Sequence, residues 1–149
     1  MCGFAGIFNN SFPIAKDQLQ NIANQVSFRG PDSCGMRLFS DEFIAGETGT
    51  NAVFFNRLAI LDLDSRSDQP FEDEDFSLTF NGEIYNYTQL KYDLQSHGHT
   101  FHTTSDTEVL FHALKEWGTE ALHRINGMFS FCWLWFRGRQ NFASVLNSG

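Results

Sequence analysis

The chain has 149 residues, 42% of them apolar, with 17 Phe and a formal net charge of −8. That length suits one domain with a packed core, and the acidic balance, with a pI near 4.9, argues against a nucleic-acid or anionic-membrane surface, which would need clustered Lys and Arg. Cys2, Cys34 and Cys132 are widely spaced with no C-x-x-C pair, which argues against a disulfide framework or a metal site and for a reducing, cytoplasmic compartment; neither a signal peptide nor a bilayer-spanning apolar run is present.

Met1-Cys2-Gly3 opens the chain. Removal of Met1 would leave a cysteine whose thiol and free α-amino group belong to one residue. Such an amine titrates at roughly 7.7–8.0, so near neutral pH it can take the thiol proton, which is the adjacent base a weak nucleophile needs. The plainer alternative is a small residue opening a buried strand, Phe4 to Phe8. Leu19, Ile22, Ala23 and Val26 then recur at helical spacing and predict a first helix from about Ile14 to Val26, ending in Phe28-Arg29-Gly30-Pro31-Asp32, where Pro31 removes a backbone donor. Short apolar runs at Met36–Phe39, Phe43–Gly46, Phe54–Leu63 and Phe76–Phe80 predict strands, the last by strict alternation. A second helix is expected over Thr88–His97, stopped by Gly98. Ser105-Asp106-Thr107-Glu108 has capping-box spacing and opens a third helix through Trp117. Thr119 can cap a short fourth helix to Ile125, and Met128–Trp135 is the last predicted strand.

Other conspicuous residues have plain readings. His97, His99 and His102 lack metal-pair spacing; Glu72-Asp73-Glu74-Asp75 reads as a solvated turn; Trp133 and Trp135 read as sheet or core residues; Cys34 and Cys132 read as small apolar packing residues.

Several short signals nevertheless stand in one order: Cys2, Phe28-Arg29-Gly30-Pro31-Asp32, Arg57-Leu58-Ala59-Ile60-Leu61-Asp62, Asn81-Gly82-Glu83-Ile84-Tyr85-Asn86, Ser105-Asp106-Thr107-Glu108 and Gly127-Met128-Phe129. Together they resemble the glutaminase domain of class II glutamine amidotransferases, most closely that of glutamine-hydrolysing asparagine synthetase and its relatives. The resemblance covers Met1 to about Trp133. It implies an α+β fold of the N-terminal nucleophile hydrolase type, a four-layer α/β/β/α sandwich of mainly antiparallel sheets.

It also implies a chemistry, hydrolysis of the glutamine side-chain amide to glutamate and ammonia through a thioester on Cys2. By that resemblance the side-chain amide of Asn81 and the backbone N–H of Gly82 stabilise the developing oxyanion. Arg57 takes the substrate carboxylate, as a planar guanidinium can with two parallel hydrogen bonds. Asp106 accepts from the α-ammonium, Glu83 adds a further contact, and main chain from Leu58 to Leu61 lines the same pocket. Simpler roles stand beside these. Asn81-Gly82 alone suits a type I′ hairpin turn, Arg57 could be a surface arginine ending a strand, and an acid at Asp106 is favoured by the helix dipole whether or not substrate is present.

The chain departs from the family pattern in places. Phe28 stands where His usually precedes Arg-Gly-Pro-Asp, and Val53-Phe54-Phe55-Asn56 replaces the usual Gly-His pair before Arg57. The expected organisation is an incomplete amidotransferase domain over residues 1–135 and a divergent tail over 136–149, leaving a sheet edge bare and the chain prone to self-association. No phosphate-binding Gly-rich loop is visible, so no cofactor is expected here. ATP and Mg would belong to a separate synthetase domain or subunit that receives the ammonia, with glutamine the small-molecule partner expected for this chain. Two rival readings remain open: an inactive fragment that at most binds glutamine or another subunit, and an N-terminal-cysteine hydrolase acting on another amide.

Overall fold

A computed structural model of the chain describes residues 2–8, 11–39, 44–45, 47–60, 63–135 and 144–148. Among them the strands build two four-stranded antiparallel sheets, in the orders β1-β6-β3-β4 and β10-β9-β8-β7. The first holds β1 (Gly3–Ile7), β3 (Ser33–Phe39), β4 (Ile44–Ala45) and β6 (Asn51–Arg57); the second holds β7 (Phe71–Glu72), β8 (Phe76–Ile84), β9 (Gly127–Trp135) and β10 (Ser144–Ser148). A two-residue ladder joins β2 (Ile14–Ala15) to β5 (Thr48–Gly49).

Alternation along the strands makes the layers, because successive side chains point to opposite faces. On β6, Ala52 and Phe54 pack against Leu19 and Ala23 of α1 (Lys16–Gln25), whereas Val53 joins Cys132 and Leu134 of β9 in an apolar cluster between the sheets. On the far side, Leu78, Phe80, Phe129 and Phe131 pack against Leu90 and Leu94 of α2 (Tyr87–Ser96) and Val109, Leu110 and Leu114 of α3 (Asp106–Trp117). Helix, sheet, sheet and helices thus form the four-layer sandwich that the resemblance implied. Asn56, fully buried, locks the first two layers by donating from Nδ2 to the carbonyl of Ala23 at 2.8 Å.

The structure corrects several sequence expectations. Ile14 and Ala15 are strand, not helix, because Thr48 and Gly49 offer them a ladder. Beyond Arg57 the apolar run leaves the sheet, so the strand expected to Leu63 stops there; Leu61 and Asp62 lie outside the described residues, as do Phe43 and Gly46. The fourth helix is a 3-10 turn over Gly118–His123. Cys34, the second residue of β3, is exposed rather than packed and lies outside the cluster that Met36 and Leu38 join. Gly98, with φ 94°, does end the second helix, a left-handed position that suits glycine. The edge of β9 expected to be bare is paired, with Ser144–Ser148 opposite Phe129–Trp133.

Candidate active site

A cavity of about 470 Å³ opens where the ends of β6 and β8 meet the start of α3, and its lining includes Cys2, Arg57, Leu58, Asn81, Gly82, Glu83 and Asp106. All the predicted site residues except Leu61, which lies outside the described residues, therefore face one space.

Cys2 precedes β1, whose first residue Gly3 pairs with Asn56, so continuing the ladder brings Cys2 to the end of β6. There the N–H of Leu58 donates to the Cys2 sulfur at 3.3 Å and the thiol donates to the Leu58 carbonyl at 3.5 Å. The turn that holds the sulfur is braced by the Arg-Gly-Pro-Asp segment. The N–H of Asp32 donates to the carbonyl of Arg57 at 3.0 Å, the carboxylate of Asp32 accepts from the N–H of Ala59 at 2.7 Å, and Arg29 Nε donates to the carbonyl of Cys2 at 3.3 Å.

Asn81 and Gly82 are not a hairpin turn. They continue β8, opposite Ser130 and Phe129 of β9. Gly82 is needed for close approach: a Cβ there would lie 2.3 Å from the carbonyl oxygen of Met128 and 2.5 Å from Cα of Phe129. The turn alternative fails because β9 supplies a partner that the local sequence does not announce. The Asn-Gly pair is followed by Tyr85 and Asn86, which tie the strand end to the loop before β9: Tyr85 N–H donates to the Asn126 carbonyl, and Asn86 Oδ1 accepts from the Asn126 N–H.

Arg57 ends β6 but is buried, not a surface residue, with 6% exposure. Its Nη1 donates to Asp68 Oδ1 at 2.7 Å and to the carbonyl of Asp64 at 3.1 Å, and Asp68 also accepts from Ser33 Oγ at 2.9 Å. Asp106 is 5% exposed and accepts from the N–H of Ile84 at 3.1 Å, so it joins α3 to β8 as well as lining the cavity. Burial pushes its carboxyl up from the ordinary range, against hydrogen bonds from Ile84 and its own helix turn that pull it down, with the neighbouring Glu83 charge adding to the rise. Glu83 itself is exposed at the cavity wall.

The capping box forms in altered shape. Ser105 Oγ accepts from the N–H of Thr107 at 3.1 Å, but Glu108 reaches past Ser105 to the N–H groups of His102 and Thr103 at 2.9 and 2.7 Å and to the Thr103 hydroxyl at 2.7 Å. The loop leading to Asp106 is thereby fixed from inside the helix. His99 bonds His112 at 3.1 Å and Glu116 at 2.9 Å; among the described residues no group of His, Cys, Asp and Glu could hold a metal ion.

Sequence reasoning missed Asp68 and Gln69. They stand in an irregular stretch with neither periodicity nor motif, and only the folded chain shows that Asp68 meets Arg57 and that Gln69, 7% exposed, enters the cavity wall.

A family model described as a glutamine amidotransferase domain matches residues 1–145. Asparagine synthetase (glutamine-hydrolyzing) 1 of Bacillus subtilis is 41% identical over 138 residues, covering 88% of this chain and 20% of that protein. A second asparagine synthetase (glutamine-hydrolyzing) of Bacillus subtilis is 40% identical over 145 residues, covering 93% of this chain and 18% of its own length. The chain thus spans about a fifth of these relatives. Among solved structures, glutamine phosphoribosylpyrophosphate amidotransferase from B. subtilis superposes with a TM-score of 0.72 at 22% identity, over 97% of this chain and 37% of that one, a likeness of fold.

Proposed function

The chain belongs to the glutamine amidotransferase domain family, and from that premise we propose that it hydrolyses the side-chain amide of glutamine to glutamate and ammonia. The observation that carries the proposal is the shared cavity: a sulfur held by Leu58 faces the same space as Asn81, Gly82, Arg57 and Asp106.

Once Met1 is removed, the Cys2 α-amine takes the thiol proton as the sulfur attacks the amide carbon. The side-chain amide of Asn81 and the N–H of Gly82 receive the negative charge of the tetrahedral adduct, donors set in a strand before the reaction begins. The amine returns its proton to the leaving nitrogen, the C–N bond breaks, and ammonia departs. Water then attacks the thioester, releasing glutamate and restoring the thiol. At the other end of the substrate, Arg57 takes the carboxylate in the company of Asp68, and Asp106 with Glu83 takes the ammonium. A cationic and an anionic group in one cavity suit a free amino acid better than an acyl chain, which favours glutamine over other amides.

The ammonia would feed an ATP- and Mg-dependent asparagine or related amide synthesis on a separate domain or subunit. Resemblance to proteins named asparagine synthetase supports this step; this chain's residues are assigned no part in it.

The test is release of ammonia and glutamate from glutamine by protein shown by mass spectrometry to begin at Cys2. Turnover by the parent and none by Cys2→Ala is the expected result. An inactive, folded parent overturns the proposal in favour of a binding fragment. Equal rates on amides lacking the amino-acid head would replace glutamine with another substrate.

A further inference from the structure

Gln69 makes an unusual set of bonds for a loop residue. Its Oε1 accepts from the N–H of Phe80 at 2.6 Å, and its Nε2 donates to the carbonyl of Phe80 at 3.1 Å and to Thr107 Oγ1 at 3.3 Å. The register that pairs Phe71 with Leu78 and Glu72 with Ser77 extends to Gln69 opposite Phe80. There the side-chain amide, not the backbone, takes both ladder positions, because a residue directly opposite in an antiparallel pair can exchange an N–H and a C=O.

Phe80 immediately precedes Asn81, and Thr107 immediately follows Asp106. One buried amide therefore joins the strand that carries the oxyanion donors to the helix that carries the ammonium acceptor. Peptide groups alternate in direction along a strand, so the N–H of Gly82 turns to the same edge as that of Phe80, beyond the end of β7. With Phe80 held by Gln69, the next N–H along that edge belongs to Gly82, a residue of the cavity lining.

We propose that Gln69 is a positioning residue for amide hydrolysis, clamping Phe80 to Thr107 so that the Gly82 N–H and the Asp106 carboxylate keep a fixed separation. The proposal rests on the glutaminase reading above. It predicts effects on both ends of the substrate from a side chain assigned no contact with it: kcat through Gly82 and KM through Asp106.

The experiment measures glutamine hydrolysis by the whole chain and two variants, Gln69→Leu and Gln69→Glu, with rates normalised to folded protein by near-UV circular dichroism. Gln69→Leu is expected to lower kcat about 10- to 100-fold, since a misplacement of about 1 Å can cost that much, and to raise KM for glutamine as well. In Gln69→Glu the ionised carboxylate opposes the Phe80 carbonyl, whereas the protonated form can donate to it. The ratio of variant to parent kcat should therefore climb as pH is lowered from 8 towards the carboxylate range of about 4–5. Parental kcat and KM in folded Gln69→Leu would overturn the proposal. Should that variant not fold, a pH-independent ratio for Gln69→Glu would overturn it equally. An inactive parent would instead sink the glutaminase reading, so the two failures are told apart.

Discussion

Asp106 is a carboxylate on which two demands fall: it accepts from Ile84 inside the protein and faces the cavity in which a substrate ammonium would sit. Burial raises its pKa, so the ionised form that would bind an ammonium is present above the shifted value and is lost as pH falls through it. KM for glutamine should consequently rise on acidification while kcat at saturation changes less, because a bound ammonium favours the charged carboxylate. Asp106→Asn should raise KM about 10- to 100-fold, a charge-assisted hydrogen bond being worth about 1.5–3 kcal/mol, and should flatten the acidic limb of the KM profile; an unchanged limb would assign that titration to another group. The residue types of the site were legible in the sequence, since each belongs to a short motif. Arg57 shows what was not: its burial and its pairing with Asp68 depend on a loop that folds back from eleven residues downstream.

Helix α3 is tied to the loop that precedes it by one buried acid. Glu108 is 1% exposed and holds the loop at His102 and Thr103. Burial pushes its carboxyl up, but hydrogen bonds from the His102 N–H and from the Thr103 side chain and N–H outweigh it, so the net shift is downward. A carboxyl depressed in the folded state stabilises the fold above its ordinary value of 4.5 and gives that stability up as pH falls through the lower folded value. His112 works in an earlier window. Burial, then the neighbouring His99, lowers its pKa from 6.5, so protonation favours the unfolded chain from about that pH downward. Acid denaturation monitored by circular dichroism should thus show stability declining first below about 6.5 and again below about 4.5. Glu108→Gln should shrink the second decline, to which Asp73, also depressed in the folded chain, contributes, and should cost about 1–3 kcal/mol at neutral pH, the penalty of leaving buried donors poorly matched. The sequence pattern of a helix start was correct here, yet the partner of Glu108 was mistaken, because the path of residues 102–104 is set by packing rather than by the motif.

Across the whole molecule, the second sheet takes its edge strand from the last residues of the chain. Ser144–Ser148 pair with β9, which covers an edge that would otherwise offer unpaired backbone to another copy. Deleting residues 136–149 should therefore raise the apparent mass in size-exclusion chromatography with light scattering relative to the whole chain; identical profiles would show that this strand does not guard the edge. No described helix is long and apolar enough to cross a membrane. By itself the sequence determined the alternating strands, the helices α2 and α3 to within a residue or two at each end, the family and most of the residues that share the cavity, since local periodicity, caps and contiguous motifs carry their own signal. Only the tertiary structure decided that Asn81-Gly82 is strand rather than turn, that Cys2 rests on Leu58, and that Gln69 joins two elements. Each of these depends on a partner distant in sequence, and a hydrogen bond to a distant partner leaves no trace in the residues on either side.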